Sequence, residues 1–286
     1  MNPSSFCAYG AEQTLAAVEQ LEQVGQMRPL LNEVERARRA AVRLQACLTL
    51  FAPCFPPLRI AFWKRRLRRL IRALNALSDH LHLMASIQAG SRLHLRLQQR
   101  IENLQEKAQQ AWERLHREHI PNEIRGLAKR RQARGKLQEA DDTLKEYARA
   151  RWRELARVNL KGEPAGPAAQ SKLPFNSHPV EVCWGRWQLM VEVAKMLAPL
   201  LQEELPMQTL QAHYRELSKQ RFRARAVELL MQLKEAERAL TLHYQGHLRG
   251  FRRIEREFDQ WIQHFQSEMS DLPDLSDLPD EPNKAD

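Results

Sequence analysis

An all-α fold is predicted, arranged as two antiparallel helical bundles joined by a linker, and three observations predict it. Ala, Leu, Glu, Gln, Arg and Lys dominate the chain, and these side chains lose little rotamer freedom in a helix. β-branched residues are too scarce for a large sheet. Apolar residues recur at helical spacing in segments divided by short breaks, and short connections suit antiparallel neighbours. At 43% hydrophobic residues in 286, the chain can bury a sizeable core.

Residues 1–29 hold an N-terminal helix, with Leu15, Val18, Leu21 and Val24 at helical spacing from residue 11. Residues 30–160 form a first, basic bundle. Its opening helix, 30–52, is broken by Pro53, Pro56 and Pro57, because proline lacks the amide donor and clashes inside a helix. A long helix follows over 58–89, Gly90-Ser91 turns the chain, and 92–119 is helical again. Pro121 suits the first turn of a further helix over 121–159. Residues 161–179, rich in Gly and Pro and without periodicity, read as the linker. The second bundle, 180–267, has helices over 180–205 and 207–233 around Pro206, and a last one ending near Phe265. Residues 268–286 carry the repeat DLPDLSDLPD and read as an acidic disordered tail.

Cys7, Cys47, Cys54 and Cys183 form no CxxC pair. Cys47 and Cys54 read as core residues rather than ligands or a disulfide, which fits a reducing interior. The first residues lack a basic stretch followed by an apolar run, so no secretory leader is expected. No segment reaches the roughly 18–20 apolar residues of a membrane span. The expected location is the cytoplasm, polyphosphate granules included if that polymer is the ligand.

The charge is uneven. Net charge is +10, which speaks to partners rather than to fold. Residues 28–100 hold fifteen Lys and Arg against Glu33, Glu35 and Asp79, a net of +12; residues 268–286 carry a net of −6. In helix 58–89, Ile60, Trp63, Leu67, Leu70, Ile71, Leu74 and Leu77 share one face, and Arg65, Arg68, Arg69 and Arg72 fall opposite. Side chains three and four apart are neighbours on a helix, so these arginines make one patch. On the preceding helix Arg36, Arg39 and Arg43 share a face, with Arg38 nearby. Like charges so crowded repel one another unless an anion joins them, and the planar guanidinium fork suits phosphate. The bland alternative is a solvated face, but the shortage of interleaved Glu argues against it.

The residues 34–84, VERARRAAVRLQACLTLF followed by KRRLRRLIRALNALSDHLHLM, resemble the opening of a CHAD domain (conserved histidine α-helical domain). The segment 177–201, SHPVEVCWGRWQLMVEVAKMLAPLL, is similar to that family's second basic helix, with His178, Arg186 and Glu192 on its histidine, basic and acidic positions. The resemblance covers about residues 30–265. It implies an internal repeat of four-helix bundles with a basic groove, and binding of inorganic polyphosphate or another phosphate-rich anion. It adds His178 and Arg186 to the candidate contacts. Glu35 replaces the first histidine, Ser78-Asp79 stands for Arg-Asp, and Glu181, Gly185 and Gln188 replace basic residues.

The expected function is therefore non-catalytic polyanion binding through Arg36, Arg38, Arg39, Arg43, Arg65, Arg68, Arg69, Arg72, His178 and Arg186. The alternatives are nucleic-acid binding and a helical scaffold that docks a protein partner. No phosphate loop, nucleophile elbow or HExxH motif is present, and pairs such as His243/His247 lack a third ligand, so neither enzyme, cofactor nor metal is expected.

Overall fold

The computed structural model describes residues 4–25, 30–134, 141–160, 179–245, 248 and 251–270. Its regular structure is helical throughout these residues: α1 (Ser4–Glu22), α2 (Leu31–Leu50), α3 (Pro57–Ser86), α4 (Arg92–Arg117), α5 (Ile120–Arg134), α6 (Asp141–Asn159), α7 (Pro179–Leu201), α8 (Met207–Gln245) and α9 (Phe251–Ser270), with short 3-10 turns at Ala52–Cys54 and Gln202–Glu204.

The breaks follow from local chemistry. The turn Ala52–Cys54 and the extended Pro56 end α2, and Pro57 opens α3 at a position that needs no amide donor. Gly90 takes φ +82°, and Ser91 then caps α4 by accepting a hydrogen bond from the His94 amide at 3.1 Å. The last carbonyls of α2 are met from a distance. Arg151 of α6 donates to Thr49 O at 2.8 Å and to Leu50 O at 3.0 Å, satisfying acceptors that a helix end leaves open.

The helices pack in bundles around two apolar cores. The larger draws on α1 to α7 and the start of α8, with Trp63, Leu67, Leu70, Leu74 and Leu77 of α3 fully buried. The smaller joins the end of α3 (Leu83), the start of α4 (Leu93, Leu97), the middle of α8 (Leu229, Leu230) and α9 (Phe258, Phe265). α3, α4 and α8 reach both. α7 packs on α2 and α6, so the larger core takes helices from both sides of residues 161–178, which lie outside the described residues.

Three details differ from the sequence expectation. The predicted helix 121–159 is two helices with different partners, α5 against α1 and α6 against α7. The final helix runs on to Ser270, with Glu268 bonded to Arg223 at 3.0 Å; of the expected acidic tail, residues 271–286 lie outside the described residues. Cys54 is not a free core thiol: it is disulfide-bonded to Cys7. α1 approaches α2 closely enough for that bond because Gly10 has no Cβ; one there would lie 2.4 Å from the Phe51 ring. Phe6 completes the contact, 5.0 Å from Phe51 between ring centres and 4.6 Å from Tyr147.

Candidate anion-binding site

α3 presents its arginines as its periodicity requires. Trp63 and the leucines point inward, and the Trp63 indole N–H donates to Glu123 at 3.1 Å. Arg65, Arg68, Arg69 and Arg72 are exposed on the other side and meet no carboxylate among the described residues. Among the described residues Arg68 donates only to the Lys64 carbonyl one turn back, at 3.3 Å. Lys64 has its ammonium held below the usual lysine value by partial burial, by Arg68 and by Arg151, which α6 brings alongside.

The arginines of α2 divide between two environments. Arg36 and Arg39 are exposed, Arg39 reaching back to the Glu35 carbonyl at 3.3 Å. Arg43 is half-buried and acts electrostatically on Tyr9 and Cys47. Burial pushes the Cys47 thiol up to about 12, so it is no nucleophile at neutral pH. Arg38 turns inward, where a network of charges replaces open surface. It donates to Glu35 at 2.7 and 3.1 Å, and its guanidinium lies 5.5 Å from the centre of the Trp184 ring.

Arg221 of α8 sits over the same ring at 4.2 Å. It makes a two-pronged bond to Asp79 of α3, at 2.7 and 2.9 Å, and donates to Glu181 of α7 at 2.6 Å. Ser78 donates to Glu35 at 2.5 Å, and the Trp184 N–H donates to Ser218 at 3.0 Å. Burial alone would weaken the charge on Arg221, but the two carboxylates outweigh it and raise its pKa. Burial alone would likewise raise the pKa of Glu35; hydrogen bonds from Arg38 and Ser78 outweigh it and hold it below 4.5.

That lowered value predicts an acid limb. Glu35 contributes stability that is fully present above its ordinary value of 4.5 and is lost as pH falls through its lower folded value. Urea midpoints measured from roughly pH 6 to pH 3 are expected to fall less steeply for Glu35→Gln than for the unaltered protein.

No family model and no curated protein matches the chain. Among solved structures, the crystal structure of the CHAD domain from the plant Ricinus communis superposes with a TM-score of 0.62. It covers 94% of this chain and 88% of that one, at 15% sequence identity. The fold is that of a CHAD domain. The segments that resemble the CHAD family lie on α2, α3 and α7, the helices that build the Trp184 network with α8. Within this CHAD fold the network's centre is occupied by the protein's own carboxylates, Glu35, Asp79 and Glu181, set against Arg38, Arg221 and Arg225, the last 3.9 Å from Asp79. Arg186 is half-buried on α7, and His178 lies outside the described residues. Arg221 was not singled out by sequence; its neighbours Arg223 and Arg225 carry the same charge, and nothing local separates the three.

Proposed function

We propose that this chain binds inorganic polyphosphate, or a similar phosphate-rich polyanion, without catalysis, along the exposed face of α3 with Arg36 and Arg39 of α2 as accessory contacts. The observation that carries the reading is the unbalanced quartet Arg65, Arg68, Arg69 and Arg72, exposed over about two turns with no carboxylate in contact among the described residues. Like charges crowded in this way repel one another, and an outside anion would relieve that repulsion. Arg38 is assigned to the internal network rather than to the ligand. The carboxylates of the internal network, Glu35, Asp79 and Glu181, are each paired with an arginine, which supports a structural use for them rather than chemistry.

No described helix is long and apolar enough to cross a membrane, and a cytoplasmic location is part of the proposal. The Cys7–Cys54 bond weighs against it, since disulfides persist in oxidising compartments. Thiol titration of protein taken directly from cells decides the point.

The test of function is calorimetry with long-chain polyphosphate at low and high salt, with RNA at equal phosphate as competitor. Binding is expected to weaken steeply with salt. By the counterion-release reasoning used for nucleic acids, changing all four α3 arginines to alanine should lower the logarithmic salt slope by about 3. Unchanged binding by that variant would move the site elsewhere. Displacement by RNA would favour a nucleic-acid ligand, and no binding of either polymer would favour a protein-docking scaffold.

A further inference from the structure

α3 and α4 run antiparallel, and the groove between them opens into a cavity of about 220 Å³. Its walls are Arg66 and Arg69 of α3 and Lys107, Gln110 and Arg114 of α4. Four cations thus face one space. A single carboxylate, Glu118, serves two of them, at 2.6 Å from Arg66 and 3.2 Å from Arg114. Lys107 and Arg69 meet no carboxylate among the described residues.

The Arg66 side chain is mostly covered, at 17% exposure, and its Nε is buried without a hydrogen-bond partner among the described residues. A buried donor left in that state is unfavourable. The side chain is fixed in place by Glu118 and by the Phe62 ring, 5.3 Å from its guanidinium. Ala111 and Leu115 make an apolar wall. The groups are therefore held on two packed helices rather than on loops, and the local charge is +3 once Glu118 is subtracted.

We propose that this cavity is a discrete site for a compact inorganic phosphate anion of the tripolyphosphate class, distinct from the open α3 face and sharing only Arg69 with it. The proposal deepens the polyanion reading and rests on it for the choice of ligand class. Size points the same way: pockets for organic ligands span roughly 300–1,000 Å³, so a compact multivalent anion fits where a nucleotide does not. Charge density selects against a simple carboxylate, which would leave most of the cations unmatched. The site holds a short chain or the end of a long one, while the open face follows the polymer without regard to its ends.

The experiment is calorimetry with inorganic tripolyphosphate and, in parallel, long-chain polyphosphate. It uses the full chain, the double variant Lys107→Ala/Arg114→Ala, and Glu118→Gln. Circular dichroism confirms that each is folded. Losing two charge-assisted contacts should weaken tripolyphosphate binding by at least about tenfold, while long-chain affinity stays within about threefold because the α3 face is intact. Glu118→Gln removes the repelling charge but keeps an acceptor for Arg66, and should tighten tripolyphosphate binding. The proposal is overturned if the unaltered protein does not bind tripolyphosphate, or if the double variant binds it equally well. A protein that binds tripolyphosphate through Lys107 and Arg114 but ignores the long polymer would remove the α3-face reading and leave this site standing.

Discussion

Asp79→Ala is expected to destabilise the protein by about 3–5 kcal/mol, read from urea unfolding followed by circular dichroism. Asp79 and Arg221 are both buried and share two hydrogen bonds, at 2.7 and 2.9 Å. Removing the carboxylate leaves a guanidinium that cannot lose its proton in a site that water does not freely enter. Glu181 remains in contact, at 2.6 Å, but its side chain is more exposed and it offers one partial replacement. The cost therefore arises from a stranded charge, not from a missing attraction. That distinction has its own check. Combining Asp79→Ala with Arg221→Met should recover much of the loss, since an apolar side chain of similar length needs no partner. A loss below about 1 kcal/mol for Asp79→Ala alone would mean that solvent reaches Arg221.

Loss of the Cys7–Cys54 bond is the second large effect expected. The cysteines are 47 residues apart, and closing a loop of that length removes denatured-state entropy worth about 4 kcal/mol at most. Cys7→Ser/Cys54→Ser should therefore lower stability by about 2–4 kcal/mol. The effect should be local before it is global. α1 is held by α5, by the aromatic contacts of Phe6 and by Arg125, which bonds Glu22. With the bond gone, amide exchange in α1 and along its contact with α5 should quicken first, while the α8–α9 pair, joined to the smaller core, keeps its protection. Uniform acceleration across all helices would show that α1 has no separate unfolding step.

The parts of this molecule that sequence made legible are those governed by one helix at a time. The face of α3 that holds Trp63, Leu67, Leu70, Leu74 and Leu77 is buried, and the arginines opposite are exposed, because a period of 3.6 residues assigns both at once. The prolines after α2 and Gly90 after α3 broke the helices where expected, since proline fixes its own φ and Gly90 takes a left-handed φ of +82° that other residues rarely adopt. What stayed hidden depends on partners far along the chain. Arg36 and Arg38 are two residues apart with the same side chain; Trp184 takes one of them inward, and no local pattern announces it. Arg221 meets Asp79 across 142 positions and Cys7 meets Cys54 across 47. The cavity between α3 and α4 needed the register of two helices before Lys107 and Arg114 could be seen to face Arg66 and Arg69.

The seat of α7 against α2 has a consequence for synthesis on the ribosome. α2 is complete at Leu50, yet the helix that covers it, bringing Met196 to Cys47 and Trp184 to Arg38, is complete only at Leu201. At roughly 5–20 residues per second the intervening 150 or so residues take about 8–30 s. For that interval a newly made α2 shows an apolar strip to solvent or to whatever chaperone waits at the exit tunnel. The cysteine pair lies wholly within the first 54 residues, so it can tie α1 to the emerging segment long before the final partner arrives.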